Sequence, residues 1–196
     1  MNALLPPSSD AARRPPAPGR LELLRTFLNT VDLESGEDDF SSAQHLAEWL
    51  AERGLLPSSA TLRESDRLAA IAFRETVREV LEANAGHGTA TAAIARLDAI
   101  AAGVPLRVQI GTSPRLEPEP AAGIDAAIGR LLAIIYESVT QATWQRLKVC
   151  RNDTCRWAFY DSSRNRSGAW CSMAVCGNRM KGRAFRRRHP AGASAG

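Results

Sequence analysis

Four cysteines, Cys150, Cys155, Cys171 and Cys176, are the only ones in the chain, and they follow the spacing C-x4-C-x15-C-x4-C. Each close pair offers two thiolates from one tight turn. The longer gap lets the chain return so that both pairs converge on a single tetrahedral ion, the geometry that Zn²⁺ favours. Four sulfurs leave no open coordination position, so one structural zinc ion is expected rather than a catalytic one. The competing readings are two disulfides or four unrelated buried thiols. Disulfides need an oxidising compartment, and the opening Met1-Asn-Ala-Leu-Leu-Pro-Pro has neither the basic start nor the apolar stretch of a secretion signal. The expected compartment is the cytoplasm, and no uninterrupted apolar run is long enough to cross a membrane.

Little else in the sequence points to chemistry. The histidines number three, His45, His87 and His189, and lie far apart. Across residues 20–147 there is no glycine-rich phosphate loop, no Gly-x-Ser-x-Gly, no His-Glu-x-x-His and no carboxylate cluster partnered by a histidine. The chain therefore does not read as an enzyme.

Charge follows the cysteines. The whole chain carries +4, but from Trp144 to Gly196 twelve Lys or Arg face two acids, a local charge of +10, which leaves −6 for everything before. A Zn²⁺ held by four thiolates brings −2, so a metal-loaded tail would carry +8 beside an acidic body. The two halves are then candidates for binding each other when no other partner is present.

The elements that must position these residues are mostly helical. The hydrophobic fraction is 44%, but 33 of those residues are alanine, which suits helix packing better than a large core. Residues 1–19, rich in proline, read as a disordered tail. Leu21, Leu24, Phe27, Leu28 and Val31 mark a first helix. Ser41 with Gln44 forms a capping-box pattern ahead of Leu46, Trp49 and Leu50, and Gly54 sits where a left-handed cap belongs. A long helix is expected from about Ser59 to Asn84, burying Ala69, Phe73, Val77, Val80 and Leu81 and exposing Arg74, Arg78 and Glu82. Thr89 to Ala102 reads as an alanine-rich helix. The alternation of Leu106, Val108 and Ile110 then predicts a strand, with Arg115-Leu-Glu-Pro as its partner. The strongest helical repeat is Ile124, Ile128, Leu131, Ile135 and Val139, which leads toward Cys150.

Between the cysteine pairs, Trp157, Phe159 and Tyr160 favour a strand, Ser162 to Gly168 a turn, and a second strand arriving at Trp170. After Cys171, Ser172 is a plausible N-cap for a helix from Met173 to about Arg188. Knuckle, hairpin and helix is the treble-clef order. The fold class is thus α-rich α+β: a helical N-terminal domain with a short β-hairpin, plus a C-terminal treble-clef zinc module. Arg179, Arg183, Arg186 and Arg187 recur at helical spacing and form a cationic stripe suited to phosphates or to guanine edges in the major groove.

The run Cys155-Arg-Trp-Ala-Phe-Tyr-Asp-Ser-Ser-Arg-Asn, followed by Trp170-Cys-Ser-Met-Ala-Val-Cys-Gly-Asn-Arg, resembles the CGNR zinc-finger family, whose name-giving motif is here Cys176 to Arg179. The stretches Phe27-Leu-Asn-Thr-Val-Asp and Ser42-Ala-Gln-His-Leu-Ala-Glu-Trp-Leu are similar to the ABATE domain that usually precedes this finger. The resemblance implies a bacterial, stress-associated transcription regulator, with the four cysteines as zinc ligands. It divides the chain into a tail (1–19), an ABATE-like domain (20–147), the finger (148–190) and a flexible end (191–196). The expected partner is double-stranded DNA, contacted by Arg179, Lys181, Arg183, Arg186, Arg187 and Arg188. Gly177, Asn178 and Trp170 are expected to brace the motif. The helical domain would sense a small-molecule or protein ligand, or pair subunits in a homo-oligomer. In the family, arginines commonly stand where this chain has Gly168 and Ala169, which takes two cations from the hairpin. The alternatives are a protein-interaction adaptor, in which zinc only braces the fold, and an RNA-binding factor.

Overall fold

The computed structural model describes residues 14–86, 88–112, 114–119 and 122–189. The remainder of the expected N-terminal tail, all of 191–196 and His87 lie outside them.

Among the described residues, six α-helices and two hairpins follow in the order α1 (Leu21–Leu28), α2 (Ala43–Glu52), α3 (Glu64–Asn84), α4 (Thr91–Ala102), β1 (Leu106–Gln109), β2 (Arg115–Pro118), α5 (Gly123–Thr140), β3 (Leu147–Val149), β4 (Ala158–Tyr160) and α6 (Asn178–Arg188). A helix-rich chain with two small antiparallel hairpins is what the composition and periodicity imply. Among the described residues, no helix is long and apolar enough to cross a membrane.

The core forms where three helices bring their aromatic residues together. Phe27 of α1 meets Phe40, Trp49 of α2 and Phe73 of α3 at ring-centroid distances of 5.5, 5.8 and 5.9 Å. Helix α5 completes the core with Ile124, Ile128, Leu131, Leu132 and Ile134. Gly129 in α5 permits close packing of β2, because a Cβ there would stand 2.5 Å from the Pro118 side chain. In the β1–β2 pairing Val108 lies opposite Leu116. Leu106 at the start of β1 packs against the core, but Val108 and, just past the strand, Ile110 are exposed.

Several boundaries shift from the expected ones. The cap of α2 is Ser42, not Ser41: its Oγ accepts the His45 N–H at 3.1 Å, while Ser41 Oγ contacts His45 Nδ1 at 2.7 Å. Helix α3 begins at Glu64, where the Asp66 carboxylate accepts the Arg63 N–H at 2.7 Å and fixes the first turn. Ala70 takes the core position assigned to Ala69. The largest departure is in the charged face of α3, because Arg74 and Arg78 are buried, 3% and 0% exposed.

Their burial has specific causes. The Arg74 guanidinium makes a two-pronged contact with the Asp38 carboxylate, both arms at 2.8 Å, and also donates to Thr30 Oγ1. Burial works to raise the Asp38 carboxyl, but the hydrogen bonds from Arg74 and Phe40 outweigh it and hold that carboxyl below its ordinary value. Arg78 donates to the Leu28 carbonyl at the end of α1 and to the Arg156 carbonyl, 3.0 Å away, and pairs with Glu75 at 3.2 Å.

The cysteine region is joined to this body through shared core. Leu147 and Val149 of β3 and Ala158 of β4 belong to the same apolar cluster as the helices. Asn29 brackets Ala158 with two hydrogen bonds, donating to its carbonyl at 2.9 Å and accepting its N–H at 2.7 Å. Asn84 donates to the carbonyls of Trp144 and Leu147, and Arg151 to that of Ala85. Residues 14–19, from the C-terminal end of the expected tail, include Ala17 in the core and Arg14, which lies over the Phe159 ring at 5.2 Å.

Candidate metal centre and cationic helix

The partner of β4 is β3, upstream of the first cysteine, with Leu147, Lys148 and Val149 opposite Tyr160, Phe159 and Ala158. The strand expected at Trp170 does not form; the returning chain instead contributes one bond, in which the Ala169 carbonyl accepts the Arg151 N–H at 3.0 Å. The hairpin therefore closes over Cys150 and Cys155. Its turn is a compact knuckle in which the Asn152 carbonyl accepts the N–H groups of Cys155 (2.8 Å) and Arg156 (3.0 Å). Arg156 takes a left-handed φ of 46°, and its side chain is held by Glu82 of α3 at 2.6 Å.

The second pair sits on another local device. Ser172 caps a π-helical turn, Met173–Gly177, by accepting the Val175 N–H at 3.3 Å. That turn carries Cys176 back toward Cys171 and runs directly into α6. A side chain at Gly177 would meet Met173 Sδ at 2.9 Å and Trp170 Cδ1 at 3.3 Å, so the turn packs closely on Trp170. Asn178 donates from its side chain to the Ala174 carbonyl at 3.1 Å, tying α6 to the turn.

The four Sγ atoms lie within 4.8 Å of one another, Cys155 and Cys171 at 3.7 Å and Cys171 and Cys176 at 3.7 Å. A tetrahedral ion with metal–sulfur bonds of about 2.3 Å requires sulfur–sulfur edges of about 3.8 Å. All four cysteines are free thiols, so the disulfide reading fails. The donor set and its spacing fit a metal ion of the size and softness of Zn²⁺.

The electrostatics of the bare thiols point the same way. Hydrogen bonds from the Cys155 and Cys171 thiols pull Cys150 far below its ordinary value, and the backbone N–H groups of Cys171 and Asn152 add to this. Cys155 and Cys171 are pushed up, chiefly by their hydrogen bonds with Cys150, and Cys176 by burial and by the charge on Cys150. Four crowded sulfurs cannot all ionise alone; a dication removes that penalty.

A residue the sequence reading passed over organises the surroundings. Asn152, fully buried, donates to Cys176 Sγ at 3.7 Å while its Oδ1 accepts from Thr154 at 3.2 Å and from Arg183 at 3.3 Å. Its only signal was an asparagine inside a four-residue gap, a common turn residue.

The cationic candidates separate into two groups. Arg179 pairs with Glu34, in the loop after α1, Arg183 reaches Asn152, and Arg188 bonds the Ala184 carbonyl of its own helix. Lys181, Arg186 and Arg187 make no hydrogen bond or ion pair with another described residue. Helix α6 buries no side chain, and its attachments all lie at or near the sulfur cluster, apart from Arg179 to Glu34.

A compact four-sulfur centre of metal-ion size that carries an exposed basic helix, seated on a helical body, has the outline of a finger appended to a helical domain. Residues 146–189 match the CGNR zinc finger, and residues 21–141 match ABATE, whose family description is "Putative stress-induced transcription regulator". The second match spans more than half of the chain, which belongs to the ABATE family and carries a CGNR zinc finger at its C-terminal side. Neither family is one of enzymes. A search of the curated proteins finds no match.

Proposed function

We propose that this chain is a cytoplasmic, zinc-dependent transcription regulator that binds double-stranded DNA through α6. One Zn²⁺, held by Cys150, Cys155, Cys171 and Cys176, acts structurally: it fixes the knuckle against the π-helical turn, and so sets where α6 points. In this reading the finger (148–190) is a treble-clef variant whose knuckle is carried by the β3–β4 hairpin ahead of α6, and the helical domain (20–147) senses a signal or pairs subunits.

The observation that carries this reading is the exposure of α6. A helix of eleven residues with six cations and no buried side chain contributes nothing to the core. It costs self-repulsion unless an anion covers it. Arginine suits that anion when it is a phosphate backbone with guanine edges, because the guanidinium binds both in a two-pronged way. The Arg179–Glu34 pair is half-exposed on both sides. A pair this open to water contributes little, so it would yield readily to DNA and is too weak to shut the helix off.

The test is a salt titration of the metal-loaded protein with labelled random-sequence duplex DNA, read by fluorescence anisotropy. Binding should weaken steeply as salt rises, by about 0.9 in the logarithmic slope for each phosphate contacted. No binding at about 50 mM salt would refute the reading. A clear preference for single-stranded RNA would refute it in favour of an RNA-binding factor.

A further inference from the structure

The segment from Asp161 to Gly168 contains no hydrophobic side chain, yet it is held by many polar contacts. At its base Asp161 is fully buried and pairs with Lys148 of β3, also buried, at 2.9 Å. The Asp161 carboxylate accepts the backbone N–H groups of Ser163 at 3.1 Å and Gly168 at 2.7 Å, closing the two ends of the loop onto one group. Lys148 Nζ donates to the carbonyls of Arg166 (2.5 Å) and Gly168 (3.4 Å). Arg146 donates to those of Asp161 (3.0 Å) and Ser163 (2.9 Å). A buried ion pair is an expensive way to stabilise a fold, since desolvation takes back much of the attraction. Here it is spent on holding a surface loop in one shape.

What the loop presents is specific. Arg166 is held in the left-handed region at φ 50°, which an arginine adopts only under constraint. Its carbonyl is turned inward to Lys148, while its side chain and that of Arg164 are exposed. Among the described residues, six cationic side chains make no hydrogen bond or ion pair with another described residue: Arg107, Arg164, Arg166, Lys181, Arg186 and Arg187. Five of these belong to the finger, and they fall on only two elements, α6 and this loop. The loop ends at Trp170, next to Cys171, and α6 begins two residues after Cys176. Both therefore emerge from the same sulfur cluster, and Arg166, five residues from Cys171, lies within about 18 Å of it even along an extended chain.

We propose that Arg164 and Arg166 form a second phosphate-binding element, a clamp preformed by the buried Lys148–Asp161 pair, which grips the backbone of the same DNA that α6 engages. This rests on the DNA-binding reading above. Lys148 and Asp161 are positioning residues and do not touch the DNA; Arg164 and Arg166 do. The arginines of the clamp occupy the loop tip, whereas Gly168 must remain without a side chain: a Cβ there would lie 2.7 to 2.8 Å from the Asp161 carboxylate.

The experiment compares wild type, R164A/R166A, R186A/R187A and G168A on random-sequence duplex DNA across salt, with metal content and far-UV circular dichroism checked for each. If the three unpartnered cations of α6 and the two of the loop each meet one phosphate, the wild-type slope is about −4.5, against about −2.7 for α6 alone. R164A/R166A should reduce the slope by about 1.8, which is about 60-fold in affinity at 0.1 M salt when the lines converge at 1 M. G168A keeps every charge but displaces the loop, and should approach the slope of the double variant. If R186A/R187A weakens binding while R164A/R166A leaves the slope at its wild-type value, the clamp is overturned and the DNA reading stands. A wild-type slope in G168A, with metal content intact, overturns the role given to the buried pair. If the wild type binds no DNA, the underlying reading fails first.

Discussion

Replacing Arg78 by methionine is the sharpest test of how the finger is held, because the two ways of viewing that residue differ severalfold in their consequence. If Arg78 were part of a solvated helix face, the substitution would change stability by no more than about 0.5 kcal/mol. In the structure it is fully buried, joining the Leu28 carbonyl at the end of α1 to the Arg156 carbonyl in the knuckle, with Glu75 beside it. Burial lowers its guanidinium from the ordinary value, with Glu75 working against that shift. Methionine keeps the aliphatic stem but leaves two carbonyls without their charged donor, each bond worth about 1.5 to 3 kcal/mol. Part of that is recovered because a cation no longer has to be desolvated. The net loss is about 3 to 5 kcal/mol, within the range for breaking a buried charged contact. At about 2 to 4 °C per kcal/mol for a chain of this size, Tm should fall by about 10 °C. Thermal melts of the metal-loaded protein by circular dichroism measure this, and transfer of metal to a chromogenic chelator should quicken, since the knuckle loses a tether at Arg156. Arg63→Met, at a side chain 82% exposed, is the control and should not move Tm. A shift below about 2 °C in Arg78→Met would refute the reasoning.

Three further outcomes follow from the geometry. Ser42→Ala should cost about 1 kcal/mol by removing the cap of α2, whereas Ser41→Ala should stay within about 0.5 kcal/mol; equal effects in denaturant unfolding would place the cap wrongly. Cys155→Ser should abolish stoichiometric metal binding and loosen α6, seen as lost helical signal, while the thermal transition of the α1–α5 body survives; unchanged metal content by elemental analysis would contradict four-sulfur ligation. Asp161→Asn should lower Tm near pH 7. The Asp161 carboxyl is held well below the usual carboxylate range, because the contacts from Ser163, Lys148 and Gly168 outweigh the raising effect of its burial. Its contribution is complete above the unfolded value of about 3.9 and is lost as pH falls from there through the depressed folded value. The Tm gap to wild type should therefore hold between pH 7 and 5 and narrow only in more acid solution; a gap that closes by pH 5 would contradict this.

How far the sequence can be read depends on whether a residue's partner is local. The cysteine spacing, the apolar face of α1, that of α5 as far as Ile135 and the β1–β2 pair all rest on neighbours within one element or one turn, and periodicity exposes them; Val139, expected on the α5 face, is exposed. The burial of Arg74 and Arg78 does not, because their partners, Asp38, Leu28 and Arg156, lie 36, 50 and 78 residues away. Nothing in the alternating charges of α3 distinguishes a guanidinium in water from one capping distant carbonyls. The pairing of β4 was hidden for a related reason. Leu147-Lys-Val is too short to show alternation, so the sequence pattern points downstream to Trp170, where only the Ala169 carbonyl contributes a backbone bond.

The same limit applies to charge. The twelve cations from Trp144 onward suggest one broad basic surface. In the structure, Arg146, Lys148, Arg151 and Arg156 are consumed in holding the finger together and fastening it to α3. Arg179 and Arg183 are engaged with Glu34 and Asn152, and Arg188 with the Ala184 carbonyl of its own helix. Only Arg164, Arg166, Lys181, Arg186 and Arg187 make no contact of this kind among the described residues. A net charge counts structural and outward-facing arginines alike, and it therefore overstates the number of phosphates the finger can neutralise. The salt slope counts only the cations that displace counterions from DNA. It should accordingly report about five contacts, or six where DNA displaces Glu34 from Arg179, and a slope near −11, as twelve would give, would mean that DNA binding dismantles the internal contacts described above.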